Sequence, residues 1–184
     1  MKKYPESSDF INFNSLGIKG NLNLKQASIF EFDTIFNVLH ENAIWLLSKD
    51  IFQWPLDWLE SLKPEIKVSI TSGLFYIAEV DHKKVAVVEI KTEPEEIWNN
   101  DTTRALYIHK LAIIREYENC HLGQEILSLI TLKAIHENIK ILRLDCVAHN
   151  NKLRSYYESC GFELKDVVKK DDISLALYEY NIKQ

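Results

Sequence analysis

The sequence predicts a single α/β domain built on a mixed β-sheet, and three observations carry that reading. From Ala105 to Phe162 the chain alternates as a strand, turns, becomes an amphipathic helix, returns as a short β-branched strand and ends in a second helix. Two apolar runs, Leu74–Val80 and Val85–Lys91, flank Asp81-His82-Lys83-Lys84 as a hairpin. A strand–helix–strand order favours a parallel pair with a right-handed crossover, whereas a hairpin is antiparallel, so the sheet has to be mixed. Finally, the 184 residues contain no internal repeat, low-complexity tract or linker, and at 46% hydrophobic and 27% charged they suffice for one core. Residues 1–184 are therefore expected to form one domain.

Residues 1–20 are polar, with Pro5, Gly17 and Gly20, and are expected to be a lead-in that lays Phe10, Ile11 and Phe13 on the body. Asn21–Ala27 alternates as a first strand. Ser28 stands three residues before Glu31, the spacing of a capping box. The following helix places Phe32, Ile35, Phe36, Leu39, Ala43, Leu46 and Leu47 on one stripe. Asp50–Pro55 breaks the chain before a second helix carrying Leu59, Leu62 and Ile66. Glu79 and Glu89 lie in the hairpin strands, where a carboxylate is costly unless paired or functional. Pro94–Thr103 (PEEIWNNDTT) is a polar connection.

The central block comes next. Its first strand alternates Ala105, Tyr107, His109, Leu111 and Ile113 against Leu106, Ile108, Lys110 and Ala112. The helix after it spaces Leu122, Ile126, Leu129, Ile130 and Ile135 toward one side. Ile141–Val147 is short, apolar and β-branched enough for a buried strand. Asn150 opens the last helix as its N-cap and Gly161 closes it. Val167–Lys170, a turn at Asp171-Asp172 and the alternating run Ile173–Ile182 complete the chain. The predicted order is β-α-α-β-β-β-α-β-α-β-β.

One turn in this block carries chemistry. Glu118-Asn119-Cys120-His121-Leu122-Gly123 leads into a helix N-terminus, where backbone N–H groups lack intrahelical partners and the helix dipole adds partial positive charge. Such a corner suits a pyrophosphate, or it is an ordinary strand-to-helix turn that needs one glycine. Gly123 allows close backbone approach. His121 keeps its N–H, whereas Glu118 places a negative charge nearby.

With Asn150, Tyr157 seven positions later and Gly161-Phe162, this turn resembles the GNAT superfamily of acyl-CoA-dependent N-acyltransferases. The run RLDCVAHNNKLRSYYESCGF is the strongest part of the likeness. The family pattern has Gln or Arg where Glu118 stands and Gly where His121 stands. The resemblance implies a mostly antiparallel sheet splayed at its centre, with a central parallel pair and helices on both faces. It implies acetyl-CoA as acyl donor, with Leu111, Ala112 and Ile113 offering backbone groups to the pantetheine arm. Glu118, Asn119, Cys120, His121, Leu122 and Gly123 would surround the diphosphate, and Asn150 and Tyr157 would complete the cofactor site. Tyr157 occupies the position of the general acid that protonates the departing thiolate. Asp145, five residues before Asn150, matches the catalytic carboxylate of the ribosomal-protein acetyltransferase branch; Glu89 and His109 are rival bases, and Arg143 is a partner that would simply neutralise Asp145.

The implied function is transfer of an acetyl group from acetyl-CoA to an amine of a small molecule or peptide, by direct attack. The substitutions at Glu118 and His121 favour a second reading, a domain of this fold that binds acyl-CoA, or nothing, and acts as a sensor or interaction module. Phe52 and Trp54 either line an acceptor pocket, where aromatic faces hold amines, or form core at a helix corner. Trp98 either covers the pocket mouth or anchors its loop.

Composition narrows the partners. A net charge of −5 disfavours nucleic acid and suits a cationic amine. Cys120, Cys146 and Cys160 are odd in number and lack metal-ligand spacing, which fits a reducing cytoplasm and no metal. No apolar run is long enough to span a membrane, and MKKYPESSDFINF lacks the apolar core of a secretory signal. Such domains often pair as homodimers.

Overall fold

The computed structural model describes residues 21–170 and 172–183. The lead-in expected over residues 1–20, with Phe10, Ile11 and Phe13, and the Asp171 half of the last turn lie outside the described residues. The elements are β1 (Leu22–Gln26), α1 (Phe32–Leu47), α2 (Leu56–Ser61), α3 (Lys63–Thr71), β2 (Phe75–Val80), β3 (Lys83–Lys91), β4 (Leu106–Ile113), α4 (Leu122–His136), β5 (Ile141–Val147), α5 (Asn151–Ser159), β6 (Glu163–Lys170) and β7 (Ile173–Asn181). One seven-stranded sheet runs in the order β1-β2-β3-β4-β5-β7-β6. Neighbours are antiparallel except β4 and β5, which are parallel. This is the mixed sheet that the periodicities require.

Local chemistry accounts for most boundaries. The Glu31 carboxylate accepts the Ser28 N–H at 3.0 Å and pairs with Lys84 at 2.9 Å, fixing the entry to α1. The β2–β3 turn is tighter than expected, because Asp81 and His82 both take left-handed φ (47° and 66°) and close a two-residue hairpin. The second predicted helix is two, α2 and α3, broken at Leu62, with Pro64 in the first turn of α3. β6 begins at Glu163 rather than Val167.

Helices cover both faces. On one, α4 and α5 bury Leu122, Ile126, Leu127, Ile130 and Tyr157 against Leu106, Ile108, Leu142 and Leu144. On the other, α1 to α3 pack Ile35, Leu39, Leu59 and Ile66 against Phe75, Ile77 and Val87. Within α4, Leu127 and Ala134 are buried and Ile135 is about half-exposed, so the expected stripe is rotated toward Leu127.

Two irregularities in β4 shape everything that follows. Val87 pairs with Ala112 and Glu89 with His109, so Val88 faces two residues, Lys110 and Leu111. This is a β-bulge, and Lys110 has φ 49°. It reverses the alternation read from the sequence. Leu111 and Ile113 pack with Leu106 and Ile108 on the α4 side, whereas Ala112 joins the α1 side; His109 and Leu111 do not share a face. Second, β4 and β5 pair over only three couples, the last being Ile108 with Leu144. Beyond it β4 stays with β3 and β5 stays with β7, and the sheet opens in a V.

Candidate active site

The V opens into a cavity of about 810 Å³. Residues 109–113 of β4 form one wall and Asp145 and Val147 of β5 the other. Trp45, Trp54 and Trp58 close the α1–α2 side, Glu95 to Ile97 reach over from the β3–β4 connection, and Tyr157 enters from α5. The split therefore lets side chains from opposite faces of one sheet meet in one space.

Leu111, Ala112 and Ile113 lie where expected, on the edge of β4 that β5 has left. Part of that edge is already used, since Asn42 Nδ2 donates to the Ile113 carbonyl at 2.9 Å. Across the V, the Val147 N–H donates to Gln53 Oε1 at 3.2 Å. Arg115 lies over the Trp45 ring, 3.8 Å from its centre, and pairs with Glu118. That pairing removes much of the charge conflict expected of Glu118.

The turn before α4 does not line the cavity, whose lining reaches Arg115 and none of residues 116–123. Asn119 and His121 both have left-handed φ, 62° and 57°. The site of the missing glycine is thus a position where glycine is favoured sterically, and histidine tolerates it at some cost. The His121 side is exposed, so its ring does not fill the corner. No hydrogen bond among the described residues uses the amides of Asn119, His121, Leu122 or Gly123. A Cβ at Gly123 would come within 2.4 Å of the Tyr156 hydroxyl, so glycine is what lets the Tyr156 ring of α5 rest against α4 here. Cys120 lies in the turn with its thiol 3.7 Å from the Glu118 carbonyl. Asn150 caps α5, accepting the Leu153 N–H at 3.1 Å, and is buried. The free amides and a Glu118 paired with Arg115 fit a diphosphate.

At the crotch of the V stands a charged cluster. His109 Nδ1 lies 3.8 Å from Asp145 Oδ1, and His109 Nε2 lies 2.8 Å from Glu95 Oε1. The latter contact is close enough for an ion pair without the alignment of a hydrogen bond. Burial pushes the Asp145 carboxyl above the usual range; the His109 charge opposes this and Glu95 adds to it. Arg143 is not its partner. That guanidinium goes to Asp101 (2.5 Å), Glu179 (3.1 Å) and the Tyr107 hydroxyl. Glu89, fully buried, is held by Lys110 at 2.6 Å. Burial alone would raise its pKa, but Lys110, Ser69 and Lys91 outweigh burial and hold it below the usual carboxylate range.

Tyr157 is buried among Tyr156, Phe162 and Tyr178, and burial pushes its phenol up, so it stays protonated. Its hydroxyl makes no hydrogen bond among the described residues. Burial likewise pushes the Cys146 thiol up to about 12, which keeps it an unreactive core residue. Trp54 lines the cavity while packing on the α1–α3 core, whereas Phe52 is exposed and lies outside the cavity. Trp98 does not line it either: it is buried on Tyr107 with Arg143 over its ring, and anchors the loop. Glu95 is the site residue the sequence did not single out; nothing in PEEIWNNDTT separates it from Glu96.

Comparison with known proteins adds three findings. The model of the acetyltransferase (GNAT) family matches residues 39–162, more than half of the chain. The chain is 28% identical over 136 residues to YesJ of Bacillus subtilis, named an uncharacterized N-acetyltransferase, covering 71% of this chain and 76% of that one. Among solved structures, it is similar to a GNAT-family acetyltransferase of Streptococcus agalactiae (TM-score 0.76, 19% identity, 89% of this chain and 96% of that). It is similar also to the PaiA N-acetyltransferase of Thermoplasma acidophilum, solved in complex with coenzyme A (TM-score 0.67, 18% identity, 87% of this chain and 98% of that).

Proposed function

The chain belongs to the acetyltransferase (GNAT) family, and on that premise we propose that it transfers an acetyl group from acetyl-CoA to the amine of a small molecule or peptide. The observation that carries this reading is the V between β4 and β5, a cavity lined by Asp145, His109 and Tyr157, together with the unbonded amides at the start of α4.

The amides of His121, Leu122 and Gly123 would hold the diphosphate, with the dipole of α4 behind them. The bared edge of β4 at Leu111 to Ile113 would take hydrogen bonds from the pantetheine arm, satisfying groups that cost on the order of 1–3 kcal/mol when left unpaired. Asn150 holds the start of α5 and so the placement of Tyr157. Bound there, acetyl-CoA supplies a thioester carbonyl for the amine to attack. An amine is mostly protonated at neutral pH, with a pKa near about 10, so it has to lose a proton before it attacks. Asp145, with His109 beside it, receives that amine. Tyr157 donates a hydrogen bond, and then its proton, to the departing sulfur. Trp54 and Trp58 give the acceptor an aromatic wall.

The three cysteines are free, as a reducing cytoplasm would keep them. Among the described residues no helix is long and apolar enough to cross a membrane.

Calorimetry with acetyl-CoA, followed by thiol release in the presence of small amines and peptides with free N-termini, tests the reading. Binding with turnover supports it. Binding without turnover across the panel supports the sensor or interaction module, and no heat at millimolar acetyl-CoA overturns the acetyl-transfer reading.

A further inference from the structure

The acyl-transfer reading leaves open which atom takes the amine proton, and the inference rests on that reading. We propose that Glu95 is a positioning residue that holds His109 as its Nε2–H form, so that Nδ1, turned toward Asp145, is the lone pair that takes the proton of the acceptor amine.

Three observations converge. Glu95 Oε1 is 2.8 Å from Nε2, out of line for a hydrogen bond as it stands, and since an ionised carboxylate only accepts, its nearness favours a hydrogen on Nε2. A neutral imidazole has one donor nitrogen and one acceptor nitrogen, and the partner of one fixes the role of the other. Nδ1 therefore faces Asp145 Oδ1 as an acceptor facing an acceptor. Their separation of 3.8 Å is too long for a direct hydrogen bond, and the gap opens on the cavity. One ammonium nitrogen in that gap donates to both. Glu95 Oε2 and His109 Nε2 are meanwhile buried without an aligned hydrogen-bond partner, which marks a site that tightens when its substrate arrives.

Other charges near His109 are engaged elsewhere. Lys110, its neighbour on β4, is held by Glu89 of β3 at 2.6 Å and lies 3.7 Å from Glu65 of α3. Lys170 of β6 acts on Asp145. The step balances. The ammonium first gives one proton to Nδ1. The neutral amine then bonds to the carbonyl carbon, the carbon–sulfur bond breaks, and the sulfur takes the Tyr157 proton. The second proton, shed by the new amide nitrogen, returns to the Tyr157 phenolate. Asp145 stabilises the imidazolium.

Nitrogen-15 NMR of the imidazoles tests this without acetyl-CoA, so its outcome is separate from whether acetyl-CoA binds. The chain has six histidines, and His109→Gln assigns the signal. At pH 9 the expected His109 signal is the Nε2–H form in the parent, a tautomer mixture in Glu95→Ala, and the Nε2–H form again in Glu95→Gln, whose amide oxygen still accepts. An Nδ1–H form or an imidazolium in the parent at pH 9 overturns the proposal, as does a Glu95→Ala spectrum like the parent's. With an amine that is turned over, Glu95→Ala should lower kcat roughly 10-fold or more, with KM for acetyl-CoA unchanged and Glu95→Gln recovering most of the loss; an unchanged kcat overturns it as well.

Discussion

His109 and Asp145 stand one residue past the last paired couple of β4 and β5, so the first residues freed by the splaying of the sheet face each other, Nδ1 to Oδ1, at 3.8 Å. Pairing in the sheet sets the distance and unpairing exposes it. Farther up the V the two walls would be too distant to share a proton, and below it the strands leave no room for substrate.

That location has a thermodynamic consequence for Asp145. Burial raises its folded pKa above the ordinary 3.8, so the folded protein binds its proton more tightly than the unfolded chain does. Stability from this group is full below the unfolded value and is lost as pH rises through the folded one. Asp145→Asn, which never ionises, should melt higher than the parent at pH 8, with the gap closing as pH falls toward 4. It should also lose turnover by about 100-fold or more. Paired thermal melts and rates across pH check both halves.

Tyr157→Phe removes one oxygen from a packed ring. Because the hydroxyl makes no hydrogen bond among the described residues, the fold should tolerate the change. Turnover should fall by roughly 100- to 10,000-fold, the range for losing a general acid, while acetyl-CoA affinity stays within a few-fold. Calorimetry beside steady-state kinetics separates the two effects.

His121 takes φ 57° in the turn before α4. A non-glycine residue there costs about 1–2 kcal/mol, and glycine relieves that at the expense of a more flexible unfolded chain. His121→Gly should raise stability by about 0.5–1 kcal/mol in urea unfolding without weakening acetyl-CoA binding, since the amide stays.

Gly123 answers to packing. An alanine there gains about 1 kcal/mol in helix propensity but puts its methyl 2.4 Å from the Tyr156 hydroxyl, and overpacking costs about 1–3 kcal/mol. Gly123→Ala should therefore be destabilising overall. Tyr156→Phe removes the colliding atom, which is buried and lacks a partner, so the double variant should recover at least the parent's stability. Chemical denaturation of the three variants measures the coupling.

Much of this was legible in the sequence because it is written in local chemistry. Ser28 and Glu31 are three residues apart, Asn150 caps the helix it begins, and the parallel pair follows from a helix lying between Ile113 and Ile141. The alternation of β4 is not legible in the sequence because the bulge at Lys110 is decided by its fit to Val88 on another strand. Glu95 is illegible for the same reason. Its role comes from reaching His109, and no local pattern distinguishes it from Glu96, which is exposed. Asp145 and His109 are separate candidates in the sequence, and their being neighbours depends on where two strands separate.

The central claim is that the front of α4 binds the diphosphate of acetyl-CoA. Titrating the nitrogen-15-labelled chain with acetyl-CoA while following the backbone amides tests it most directly. Saturable shifts of the His121, Leu122 and Gly123 resonances, larger than those elsewhere on α4, are the predicted result; amides that stay still at millimolar acetyl-CoA would contradict it.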